Sequence, residues 1–178
     1  MRRYIQAHRR SLLVVAGALA GLLVFVIVWF QPQKLFIEQS VDEAVPQVAA
    51  PNPSSKEDDQ DGSSSSASDV LAQGTFQSLE HETTGEARII EIADGRLFLR
   101  LEDLETSNGP DLRVYLSEIP ASDDWRAYGE RFIDLGGLKG NRGNQNYEIP
   151  PGIDLTKYQS AVIWCRRFTV GFGVAGLS

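Results

Sequence analysis

The sequence predicts an all-β fold, a β-sandwich domain of about 105 residues, carried behind one membrane-spanning helix and a long polar linker. Three observations predict it. After Gly74 the chain is a series of short apolar runs separated by turn signals, no stretch of that region sustains a helical period, and residues 12–30 carry no charged side chain. The boundaries that follow are a cytoplasmic N-terminus at 1–11, a transmembrane helix at 12–30, a disordered linker at 31–73 and the domain at 74–178.

Leu12 to Phe30 is 19 residues long without a strongly polar side chain. At about 1.5 Å per residue that is enough to cross a hydrocarbon core of about 30 Å. Arg2, Arg3, Arg9 and Arg10 precede the run, so the positive-inside rule keeps the N-terminus cytoplasmic and puts the rest of the chain outside the plasma membrane as a single-pass protein. A cleaved signal peptide would have an apolar core of about 7–15 residues followed by a small-residue cleavage site. Gln31-Pro32-Gln33 follows here instead, which favours an uncleaved anchor.

The exported part holds 24 acidic and 13 basic residues, a net charge of −11. Such a surface repels phosphate backbones and anionic headgroups, which excludes nucleic acid as a partner. Lys34 to Val45 has the apolar spacing of a short helix lying on a membrane surface. From Pro46 the composition turns to proline, an acidic cluster at Glu57 to Asp61 and the serine run Ser63 to Ser66, the signature of a linker without a core. Residues 31–73, if fully flexible, reach roughly 36 Å.

Within the domain, Ala87–Ile92 and Arg96–Leu104 flank Asp94-Gly95, a strong hairpin signal. Leu97, Leu99 and Leu101 share one face, with Phe98 and Arg100 on the other. Asn108 to Asp111 predicts a turn and Leu112 to Ser117 a strand. A polar connection over 118–130 holds Trp125 and Tyr128, Phe132 to Leu138 returns to a strand, and Gly140 to Asn146 predicts a polar loop. Ser160 to Leu177 is the most strand-like run. Its first half, Ala161 to Cys165, is apolar throughout, as in a strand covered on both faces. Beyond Cys165 the two arginines, Arg166 and Arg167, point to opposite faces of a continuing strand, which places the thiol at a rim, and Gly171, Gly173 and Ala175 leave a small-residue side that a backbone or ligand can approach.

Cys165 is the single cysteine and cannot make an internal disulfide. It is either a small hydrophobe filling a strand position or a functional thiol. Arg167, two residues along the same strand face, would favour the thiolate if both sit at the rim. His81, between Glu80 and Glu82, is the one histidine of the exported part; it is either a solvated loop residue or a ligand. No nucleophile-elbow motif surrounds a serine and no zinc-ligand spacing occurs, so hydrolase and zinc chemistry lack a basis.

Taken together, HETTG at 81–85, NGPDLRVYLS at 108–117, LGGLKGNRGNQNYEIP at 135–150 and the ending YQSAVIWCRRFTVGFGVAGL resemble the DM13 domain family. The resemblance covers the whole region after the linker. It implies a DOMON-like β-sandwich and a role in electron transfer at cell surfaces centred on the family's cysteine, which Cys165 matches. The family's redox group is either a bare thiol or a prosthetic group such as haem, for which Cys165 and His81 are the cofactor-binding candidates. A membrane-anchored form with one such domain resembles bacterial members. The reading from a different class is a non-enzymatic module that recognises a sugar or a surface protein through its loops, with Cys165 merely packed. The electron donor, acceptor or surface ligand is not encoded in any motif. Residues from Val70 onward are expected to fold without the anchor and linker, and a cooperative melt of that fragment by circular dichroism is the check.

Overall fold

The structure, a computed structural model, describes residues 9–30, 38–47 and 68–178. It divides into two compact units, residues 1–37 and residues 38–178. Among the described residues the first contains one helix, α1, Arg9–Phe30. Its described side chains run without a break from Leu13 to Phe25 and are exposed. Among the described residues no helix is long and apolar enough to cross a membrane.

The second unit is all-β, as expected. Its strands are β1 Ser40–Asp42, β2 Asp69–Ser78, β3 Thr83–Glu91, β4 Leu97–Thr106, β5 Leu112–Ser117, β6 Phe132–Gly137, β7 Arg142–Ile149, β8 Ser160–Cys165 and β9 Val170–Gly176. They form one nine-stranded sheet in the order β1-β7-β4-β3-β2-β9-β8-β5-β6. Among the described residues only β1–β7 is a parallel pair. The expected sandwich is therefore a single curled sheet, a half-barrel, because β2 serves both halves. Its residues 69–75 pair with β3, and Phe76 to Ser78 pair with β9.

The concave interior gathers side chains from both halves, among them Leu99 and Leu101 of β4, Leu112 and Val114 of β5, and Ile163 and Cys165 of β8. The predicted β3–β4 hairpin is present. Gly95 takes φ +82°, and Asp94 Oδ1 accepts the Arg96 N–H at 3.1 Å to close the turn. Strand β8 is buried along its whole length. Its alternate residues Val162 and Trp164 enter a second cluster on the outer face with Tyr115, Tyr128 and Val174. The polar connection between β5 and β6 covers that cluster through a 3-10 helix, Trp125–Gly129. Tyr128 is fully buried there, and its hydroxyl accepts the Ser122 N–H at 2.6 Å.

Four expectations are corrected. The stretch 31–73, expected as a linker, contains β1 and the first residues of β2, and residues 48–67 lie outside the described residues. Lys34 to Val45 was expected as a surface helix, but Ser40–Asp42 is extended, because it completes the hydrogen bonds of the β7 edge. Gly140 to Asn146 is mostly strand β7 rather than loop, its polar side chains being used against β1. Finally, the run Ser160 to Leu177 is two strands: the chain turns back at residues 166–169, with Thr169 at φ +54°, so Cys165 and Val170 are cross-strand neighbours.

Tyr128→Phe is expected to lower stability by about 1–3 kcal/mol, because the Ser122 N–H loses its buried acceptor. Urea denaturation measures it, with an unchanged far-ultraviolet circular dichroism spectrum showing that the sheet is intact.

Candidate functional site

Cys165 ends β8, and the rim expected for it does not exist: the residue has no exposed surface. Two strands flank it, with Leu112 of β5 on one side and Val170 of β9 on the other. Its Sγ donates to the Pro110 carbonyl at 3.2 Å. Pro110 belongs to the turn before β5, in which Asp111 takes φ +62°, and the Asp111 carbonyl accepts the Arg166 N–H at 3.1 Å. The peptide N–H groups of Phe168 and Arg167, in the β8–β9 turn, act on the sulfur in favour of the thiolate. The thiol is thus enclosed between two turns that are themselves tied together.

Burial pushes the Cys165 thiol above its ordinary pKa, and the two peptide N–H groups and the Arg167 charge offset this only in part. Arg167 does not share a strand face with the cysteine. It lies in the turn, exposed, and its peptide N–H reaches the sulfur. Arg166 is exposed too and pairs with Asp111 at 2.7 Å. Phe168, 58 % exposed, stands at the tip between them and Thr169.

His81 lies between β2 and β3 and is half-buried. Its ring stacks on Phe172 of β9, centroids 3.7 Å apart. Below it, Thr83 Oγ1 lies 2.8 Å from Thr106 Oγ1 and 3.2 Å from the Phe172 carbonyl, which fixes the loop to β9. Burial holds the His81 pKa below its ordinary value against the pull of Glu80. The neutral ring is therefore the form the fold prefers. The sequence signal that could have found this contact is the small-residue side of β9: Gly173 receives the Thr83 side chain, and Gly171 receives Leu79 and Trp125.

These contacts bear on a haem or other prosthetic group. The close approaches opened by Gly109, Gly171 and Gly173 are filled by Phe172, Leu112, Leu79, Trp125 and Thr83, all of this chain. The sulfur is enclosed, and His81 spends its ring face on Phe172. The residues present do not fit a haem between Cys165 and His81. Among the described residues no cluster of three or more histidine, cysteine or acidic side chains is placed to hold a metal ion.

An all-β domain enclosing one thiol beneath a cationic hairpin turn defines the class. A family model described as electron transfer DM13 matches residues 75–177, more than half of the 178-residue chain. The chain belongs to the DM13 family. No curated protein and no solved structure matches it.

Two measurements follow. The native thiol is expected to resist iodoacetamide at neutral pH and to react once denaturant is added. His81 is expected to titrate below about 6.5 by nuclear magnetic resonance. Its contribution to stability is complete above the unfolded value and is lost as pH falls through the lowered folded value, so His81→Gln should flatten that acid limb of the stability profile.

Proposed function

We propose that this chain is an electron-transfer module anchored in the plasma membrane by α1, with its β domain extracytoplasmic, Cys165 as the redox group and the β8–β9 turn as the face offered to a redox partner. The observation that carries it is the placement of the single cysteine, Cys165, immediately before the exposed β8–β9 turn, residues 166–169. The family description supports the class of function. Arg167 and the exposed Phe168 give an otherwise acidic domain a cationic, aromatic tip suited to an acidic partner surface. Support for the anchor comes from the uncharged run Leu12 to Phe30, the four arginines before it, and exposed side chains such as Leu19, Leu22 and Leu23, which a helix in water does not carry as a continuous surface.

At rest the thiol is protonated. Giving one electron to an oxidised one-electron acceptor therefore releases the S–H proton to water and leaves a sulfur radical, which a one-electron donor must reduce again. Because the thiolate fraction donates, the rate should rise about tenfold per pH unit up to the ordinary thiol value of about 8.5 and beyond it. The second reading, a ligand-binding β domain with a packed cysteine, draws on one observation, the complete burial of Cys165. Stopped-flow reduction of ferricyanide by the full chain in detergent separates the two. The electron-transfer reading expects the pH-dependent rate and its loss in Cys165→Ser. Ferricyanide reduction by the serine variant at the native rate leaves the second reading in its place.

A further inference from the structure

Strand β7 has β4 on one side and, on the other, a segment from before the DM13 region, Glu38 to Ala44. This segment contributes almost nothing to the apolar core: within β1 only Val41 is half-buried. It is held by polar recognition along its backbone. Asn141 Oδ1 accepts the Gln39 N–H at 2.8 Å, the Asn144 carbonyl accepts the Glu43 N–H at 2.9 Å, and Asn146 Nδ2 donates to the Ala44 carbonyl at 2.8 Å. A Cβ at Gly140 would collide with the Gln39 carbonyl, and one at Gly143 with the Val41 carbonyl. The two glycines and the three asparagines of GNRGNQN together form a floor shaped for an extended chain.

The floor also selects a side chain. Glu43 receives Lys139 Nζ at 2.7 Å and 2.9 Å and the Asn146 N–H at 2.8 Å, while its own carbonyl accepts from the buried Arg100 at 3.0 Å. The receiving groups are fixed by bonds within the domain. Lys139 Nζ donates to the Asn146 carbonyl, Asn141 Nδ2 to the Thr106 carbonyl, and Arg100 is set by Glu102 and Asn146 Oδ1. A site whose donors stand in place beforehand loses little entropy on binding. We propose that the β7 edge is a binding groove for an extended, carboxylate-bearing peptide, and that Glu38 to Ala44 is its tethered, releasable occupant.

The test uses the full chain in detergent and a fluorescent peptide of residues 38–46. Glu43→Lys sets a cation against Lys139 and should release the segment. Hydrogen exchange at residues 38–46 should then accelerate at least tenfold while β8 and β9 stay protected. The peptide should bind the Glu43→Lys chain saturably and the native chain at least tenfold more weakly, because a tethered occupant competes at an effective concentration of about millimolar. Adding Lys139→Glu, at a side chain that lies over the Tyr147 ring, restores opposite charges across the groove, so the tethered segment should regain its protection and a peptide carrying Glu43→Lys should bind this chain at least tenfold more weakly than the native peptide binds the Glu43→Lys chain. Unchanged protection in the Glu43→Lys chain overturns the proposal. So does peptide binding that is absent from, or equal in, the native and Glu43→Lys chains.

Discussion

The fold depends on the seam where β2 leaves β3 and meets β9. Gly74 lies so close to Gly176 that a side chain on it would strike the Gly176 carbonyl, and Gln73 and Ser178 exchange both backbone hydrogen bonds at 3.1 Å and 3.2 Å. One strand thus satisfies donors and acceptors of two half-sheets, and the interior closes because the sheet bends there. Without that bend Leu99 and Leu101 on one half would have no Ile163 or Val114 to meet. The enclosure of Cys165 is a consequence of the same bend, since its neighbours β5 and β9 belong to the half that β2 joins on.

Two opposed effects act on that sulfur. Removal from water favours S–H, and two peptide N–H groups of the turn favour S⁻. Burial prevails, so the closed domain stores a protonated thiol beside groups that would stabilise its anion. A movement of the four-residue turn would change both effects together, since the turn that covers the sulfur also carries the two N–H groups. Reactivity would then depend on the turn more than on the cysteine itself.

Much of this was legible. The β3–β4 hairpin carries Asp94-Gly95 and an alternating leucine face, and the uninterrupted apolar run before Cys165 belongs to a strand covered on both sides. The depth of Cys165 was not legible, because it depends on where the chain reverses, and Arg166 to Thr169 contains none of the glycine, proline, asparagine or aspartate that mark turns. Strand β7 resembled a loop for a different reason. Its polar side chains are spent on a neighbouring segment 102 or more positions earlier for Gln39–Asn141, Asp42–Asn144 and Asn146–Ala44, and such a pairing leaves no local periodicity. The separation of His81 from Cys165 is likewise a property of packing: Phe172 claims the imidazole.

The docking of Glu38 to Ala44 changes how the acidic, serine-rich stretch is connected. With one end held at β1 and the other entering β2, residues 48–67 close a circuit on the domain. A protease that cuts the circuit opens a ring and leaves both fragments joined through the β7 edge. A cut at residues 31–37 severs the only covalent path between α1 and that edge. Separation of the domain from α1 therefore takes a single cut among seven residues next to the helix, while a cut in the much longer acidic, serine-rich stretch leaves the two pieces together for as long as Glu38 to Ala44 stays docked.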